Sequence, residues 1–364
     1  MTRRPLPQPG ILDIAAYVPG RSTAPGTKNP VKLSSNESPL GASPKAIKAY
    51  RDAAKKIALY PDGSSRLLRE AIGEAHGLDP ARIVAGGGSD ELLHLLAQTY
   101  LGQGDEAVVS QFGFLVFPIV ALGAGGRPVV APERNFRTDI DAILASVTPK
   151  TKLVFIANPN NPTGSYVSGE ELARLQRDLP PEVLLVIDSA YAEYVTASDY
   201  DAGASLVDAS ENVVMVRTFS KMGLAALRVG WLYGRPDLVD ALNRLRGPFN
   251  VSIPAQLAAA AAVRDKAFTR RLKAHNARWR KWLKANLKRN WMQVLPSEGN
   301  FVLVLFGDEP GQTAADANAA LLAEGLIARE TGAYGLPNAL RISIGSELAM
   351  RRVAKVLNGM GRNG

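Results

Sequence analysis

The 364-residue chain predicts an α/β fold in two units: a large one on a mostly parallel central sheet, and a smaller α+β one. Three observations carry this. Short, continuous apolar runs recur at AVV near 107, PVVA near 128, KLVFIA at 152, EVLLVID at 182 and NVVMVRT at 212. Continuous rather than alternating apolarity marks strands buried on both faces of a parallel sheet. Helical patterns fall between several runs, as over 89–100 and 168–178. After about residue 245 the character changes, to long helices over roughly 254–288 and then shorter elements.

Taken in order, the first 40 residues are rich in Pro, Gly and Ser and read as an extended arm ending in a strand over 31–33. Ser43-Pro44 reads as an N-cap with proline at the first helical position, opening a helix to about Ile57. The large unit is expected over 41–245. The smaller one, over 246–364, adds WMQVLP, NFVLVLF, a helix near 312–324, GLIAR, ALRISIG and a last helix from Glu347.

Hydrophobic residues make up 46% of the chain, ample for one large core and one smaller one. No run of ~18 apolar residues suggests a membrane span. The N-terminus, MTRRPLPQPG, has two arginines but no apolar segment after them, so it does not read as a secretory signal. Cysteine is absent, which removes disulfides and thiolate chemistry and fits a reducing cytoplasm. The three histidines, His76, His94 and His275, are far apart, so no histidine metal site is expected. The net charge of +9 sits almost wholly on 264–289, where eleven Lys/Arg face one acid. Phe268, Leu272, Trp279, Trp282, Leu283 and Leu287 recur there at helical spacing, which reads as an amphipathic helix with a solvated basic face. A nucleic-acid or membrane surface is the alternative.

Five motifs carry chemistry. In TFSKMGLAALRVGW (218–231), Lys221 follows an apolar strand and Arg228 lies seven residues on. A lysine that forms an imine needs a dry pocket so that its amine is neutral when it attacks, and an arginine nearby can hold a phosphate in bidentate fashion. A lysine at a strand end is, by itself, usually just exposed. AGGGSDELLHLL (85–96) places glycines before a helix opening at Ser89 and Asp90, where backbone N–H groups can meet an anion. In NPNNPTGSY (158–166) two Asn-Pro steps force a turning backbone, and Asn161 can present its amide at the edge of the sheet where open α/β folds bind ligands. Asp188 ends the apolar strand of VLLVIDSAYAEY (183–194), where an unpaired carboxylate is costly and a cationic partner is expected. A protonated pyridine nitrogen is such a partner, and Tyr191 stands three residues on. Arg341, inside the apolar ALRISIG, needs an anion, either a structural carboxylate or that of a substrate.

Together these motifs resemble the fold-type I aminotransferases that use pyridoxal 5'-phosphate, and more closely the histidinol-phosphate aminotransferase family. The resemblance runs over nearly the whole chain, through GILDIAAYVPG (10–20), KLSSNESPLG (32–41), YPDGSSRLLREAIG (60–73), ALNRLRGPFNVS (241–252) and YGLPNALRISIG (334–345). It implies that Lys221 carries the cofactor as a Schiff base and shuttles a proton. Asp188 would pair with the pyridine nitrogen, with Asn161 and Tyr191 on the ring's phenolic oxygen. Ser89 and Asp90, Ser220 and Arg228 would hold the phosphate, and Phe112 would stack on the ring. Tyr60 would reach the phosphate from a partner subunit, which implies a homodimer in which the arm takes part. Arg341 would bind the substrate α-carboxylate with Asn36 near it, and Tyr17 and Arg329 would meet the far end. The lysine-to-arginine spacing is one residue shorter than in many relatives. The implied reaction moves the amino group of L-histidinol phosphate to 2-oxoglutarate, giving imidazole acetol phosphate and glutamate, by ping-pong kinetics. The open alternatives are an aromatic amino-acid aminotransferase, a decarboxylase of a phosphorylated amino acid, and a basic, non-catalytic binding protein.

Overall fold

The computed structural model describes residues 5–361. Arg3 and Arg4, on which the reading of the N-terminus partly rests, lie outside the described residues. A seven-stranded sheet forms the centre: β1 (Ile83–Gly86), β2 (Glu106–Ser110), β3 (Arg127–Ala131), β4 (Thr151–Ala157), β5 (Leu184–Asp188), β6 (Val213–Thr218) and β7 (Gly230–Tyr233). Its order is β1-β7-β6-β5-β4-β2-β3. The neighbours are parallel except β7, which runs antiparallel to both β1 and β6. The five expected runs are β2 to β6. β4 to β6 bury almost every residue, because apolar layers cover both faces.

Helix α1 (Pro44–Ala53) starts where expected, with Ser43 Oγ accepting the Lys45 N–H at 3.1 Å. Helix α2 (Arg66–His76) and α3 (Ser89–Tyr100) follow. The helices expected over 254–288 are α4 (Ile253–Arg264) and α5 (Lys266–Asn286), with Asp265 between them. Asp265 is buried with both oxygens paired: Oδ1 accepts the Phe268 N–H at 3.4 Å, capping α5, and Oδ2 accepts the hydroxyl of Ser43 at 2.6 Å. α4 packs on α1 and α2, and Ala255, Ala258, Ala259 and Ala262 sit in the apolar cluster of the central sheet. The apolar cluster of the central sheet therefore reaches past residue 245, to Val263. α5 buries Phe268, Leu272, Trp279 and Leu283 and turns its lysines outward.

The smaller unit holds a four-stranded sheet, in the order 293–294, 301–305, 339–343, 329–330, all antiparallel. The arm joins this unit: Val31 and Lys32 pair in parallel with Leu326 and Ile327. Among the described residues no helix is long and apolar enough to cross a membrane.

Candidate active site

β4, β5 and β6 run parallel and end side by side, so their C-terminal loops collect at one edge. The loop after β4 carries three asparagines with different duties. Asn158 pins the loop, exchanging two hydrogen bonds with the Val167 backbone at 3.0 and 3.1 Å. Asn160 donates to the Phe112 carbonyl at 3.1 Å and to Thr163 at 2.9 Å. Only Asn161, of the three, lines the cavity that opens at this edge. Asp188 closes β5, and Lys221 lies in a short turn (Ser220–Met222) directly after β6.

The cavity measures about 450 Å³ and also takes in Ser89, Asp90, Tyr191, Thr218, Ser220, Arg228 and Arg341. Lys221 Nζ stands 5.6 Å from the centre of the Tyr191 ring. Burial is the main force on the titrating groups, because a dry site disfavours charge. It pushes the Lys221 ammonium down to about 8, helped by the positive Arg341. It pushes the Asp188 carboxyl up to about 7, with the negative Asp90 adding to the effect. Among the described residues Asp188 has one donor, the Ala190 N–H at 3.2 Å on Oδ1.

Beside them is a cradle with the chemistry of an anion site. Gly86, Gly87 and Gly88 lead into α3, whose first turn offers free N–H groups and the positive end of a twelve-residue helix. Gly88 has φ of 91°, and a Cβ there would lie 2.6 Å from Arg228 Nη2. A Cβ on Gly230 would lie 2.5 Å from the Gly88 carbonyl carbon and the Ser89 nitrogen. Small residues thus let strand, loop and guanidinium close around one spot. Arg228 donates to Ser220 Oγ at 3.2 Å and to Asp90 Oδ2 at 3.0 Å. Ser220 Oγ also accepts from Thr218 at 2.9 Å.

The residues expected on the substrate side come from the arm and the smaller unit. Arg341 is buried and donates from Nη1 to Asn161 Oδ1 and from Nη2 to the Ser34 carbonyl at 2.7 Å, while its Nε has no partner among the described residues. Asn36 is buried against Tyr191 and Ser343. Tyr17 of the arm lines the cavity.

Two expected positions lie elsewhere. Phe112 does not line the cavity. Its N–H is tied to Glu133 Oε1 at 3.2 Å, and its ring packs against Phe136 and the Leu295, Leu303 and Leu336 cluster. Phe114, two residues on, lines the cavity instead. Arg329 donates to the Val18 carbonyl at 2.7 Å and sits over the Tyr17 ring, so it fastens the arm rather than facing the cavity. Tyr60, expected to act on a partner subunit's site, is 81% exposed and stacks on Phe249, with ring centres 4.6 Å apart, and does not line its own protomer's cavity. Cavity residues unforeseen from sequence include Phe114, Thr218 and His94. Thr218 was legible as the last residue of β6, before Lys221.

The model of the family described as aminotransferase class I and II matches residues 28–357. A histidinol-phosphate aminotransferase from Rhodopseudomonas palustris is 55% identical, covering 97% of this chain and 98% of its own. One from Nitrobacter winogradskyi is 54% identical, covering 96% and 97%. The chain belongs to the histidinol-phosphate aminotransferase family. The crystal structure of the histidinol-phosphate aminotransferase from Sinorhizobium meliloti, in complex with pyridoxal-5'-phosphate, superposes with a TM-score of 0.83 at 32% identity, over 90% of this chain and 89% of that one. The fold is therefore that of the fold-type I aminotransferases.

Proposed function

We propose that the chain binds pyridoxal 5'-phosphate and transfers the amino group of L-histidinol phosphate to 2-oxoglutarate, giving imidazole acetol phosphate and glutamate. The observation that carries this reading is the pair Lys221 and Asp188 on one cavity, the amine held down to about 8 and the carboxyl held up to about 7. The donors around the cavity fit this cofactor. The α3 N-terminus, Ser220 and Arg228 suit a phosphate, and Asp188 suits a cationic ring nitrogen. Asn161 and Tyr191 suit a phenolic oxygen, and Phe114 replaces Phe112 as the aromatic wall.

Bound there, pyridoxal phosphate supplies a sink for the electrons left when the substrate α-proton departs. The residues supply the rest. Lys221 Nζ, about half of it uncharged at pH 8, would accept that proton and deliver it to the carbon of the cofactor's aldehyde group. Asp188, ionised against a cation, keeps the ring nitrogen protonated. Arg341 holds the α-carboxylate of glutamate in one half-reaction and the phosphate end of histidinol phosphate in the other, and Tyr17 screens the reacting atoms from water.

A homodimer belongs to the same proposal. Ile57, Leu59 and Tyr60 are all exposed, and Tyr60 stacks on the exposed Phe249; such apolar side chains suit a second copy. A cytoplasmic location, consistent with a chain free of cysteine, completes it. The experiment is a coupled assay on the cofactor-loaded protein with histidinol phosphate, phenylalanine and tyrosine as donors to 2-oxoglutarate. A kcat/KM at least about tenfold higher for histidinol phosphate is expected, a difference of roughly 1.4 kcal/mol. A preference for phenylalanine or tyrosine overturns the substrate assignment.

A further inference from the structure

Asn36 lies where the arm enters the smaller unit, and every polar atom it owns is committed. Its N–H donates to Ser343 Oγ at 2.8 Å, and Ser343 Oγ donates back to Asn36 Oδ1 at 2.9 Å. Its carbonyl accepts from Asn300 Nδ2 at 2.9 Å. These three bonds hold it at φ 55°, in the left-handed region. They also decide which way the amide points, because the serine hydroxyl on Oδ1 leaves Nδ2 on the other side. Nδ2 donates to the Tyr191 hydroxyl at 2.9 Å, with both residues buried.

A phenol has one proton to give. When its oxygen accepts from an amide, that proton is directed elsewhere, and the accepted bond polarises the hydroxyl into a stronger donor. The Tyr191 ring lies along the cavity wall beside Lys221 and Asn161, so the direction left to its proton is the cavity.

We propose that Asn36 is a positioning residue that fixes the Tyr191 hydroxyl as a hydrogen-bond donor toward the ring oxygen of the bound cofactor. This rests on the reading of the site as a pyridoxal phosphate site. A donor on that oxygen stabilises its anionic form and lowers the proton affinity of the cofactor's reactive nitrogen. Asn36 belongs to the arm and to the smaller unit's network, so docking of these segments on the large unit sets the protonation state of the cofactor.

The test is a pH titration of the visible absorbance of the cofactor-loaded enzyme, with Asn36→Gly, Asn36→Asp and Tyr191→Phe. Glycine fits the left-handed backbone and deletes the amide. The carboxylate that Asn36→Asp introduces would accept from Tyr191 and draw its proton away, so this variant tests the direction of the bond even if the glycine variant folds poorly. The titration midpoint is expected to rise by roughly half to one unit in Asn36→Gly, the scale of one net hydrogen bond, and further in Asn36→Asp. In the Tyr191→Phe background, Asn36→Gly is expected to move it no further. A midpoint unchanged in both Asn36 variants, or an equal shift with and without the Tyr191 hydroxyl, overturns the proposal. A wild-type protein that acquires no cofactor absorbance overturns the underlying reading instead.

Discussion

Arg341 of the smaller unit donates from Nη1 to Oδ1 of Asn161 of the large one, and both are buried. One strand of the small sheet is thereby fastened to the loop after β4. The bond uses the acceptor of the Asn161 amide and leaves its Nδ2 to act as a donor.

Arg341→Lys keeps the charge but not the fork that spans Asn161, the Ser34 carbonyl and an incoming anion. We expect kcat/KM to fall roughly 10- to 100-fold, the scale of one or two charge-assisted hydrogen bonds. Most of the loss should be in KM. Steady-state kinetics with glutamate as donor checks this.

Gly230 tests the cradle from behind, since its absent Cβ leaves room for the Gly88–Ser89 backbone. Gly230→Ala must push that backbone. Overpacking of this kind costs about 1–3 kcal/mol, so cofactor affinity should weaken roughly 5- to 150-fold. Equilibrium dialysis against pyridoxal phosphate measures it.

Asp188 gives a stability prediction for the cofactor-free protein. Its folded value, about 7, lies above its ordinary value of 3.8, so the folded state holds the proton more tightly. The stability linked to this group is complete below the unfolded value and is lost as pH rises from about 4 to about 7. At pH 8 the cofactor-free protein therefore carries a penalty of several kcal/mol for the ionised carboxylate. Cofactor-free Asp188→Asn should melt higher than wild type at pH 8, with the gap closing toward pH 5, even as it loses activity. Differential scanning calorimetry at both pH values decides this.

His76 behaves in the opposite sense. Burial, reinforced by the positive Arg217 and Lys266, holds its imidazolium down to about 3, and its ring lies 5.3 Å from that of Trp231. The folded state refuses a proton that the unfolded chain accepts below about 6.5. Stability is thus lost as pH falls from 6.5 toward 3. In His76→Gln, denaturant midpoints at pH 7.5 and 5.0 should lie closer together than in wild type.

The strands β2 to β6 were legible because burial on both faces makes their apolarity continuous. β1 and β7 were not: each has four residues and an end glycine, and in Gly230 the glycine serves the approach to Gly88–Ser89 rather than the strand itself. Helices were expected over 254–288 but not where one ends, because Ser43, whose hydroxyl helps hold Asp265 at the break, is remote in sequence. Lys221, Asp188 and Asn161 could be singled out because each follows or ends a strand at the binding edge. Phe112 and Phe114 could not be told apart from sequence. Both sit in one loop, and Glu133 and the Leu295, Leu303 and Leu336 cluster, far along the chain, decide which ring turns inward. Arg329 carries the same strand cue as Arg341, its register partner, yet the arm's Val18 carbonyl takes it.

The central claim is that Lys221 Nζ moves the substrate proton. The direct measurement is the turnover of cofactor-loaded Lys221→Ala with histidinol phosphate and 2-oxoglutarate. A positioned base contributes roughly 10²- to 10⁴-fold, so the account predicts a loss of at least that size with the cofactor still bound. Turnover equal to wild type would contradict it.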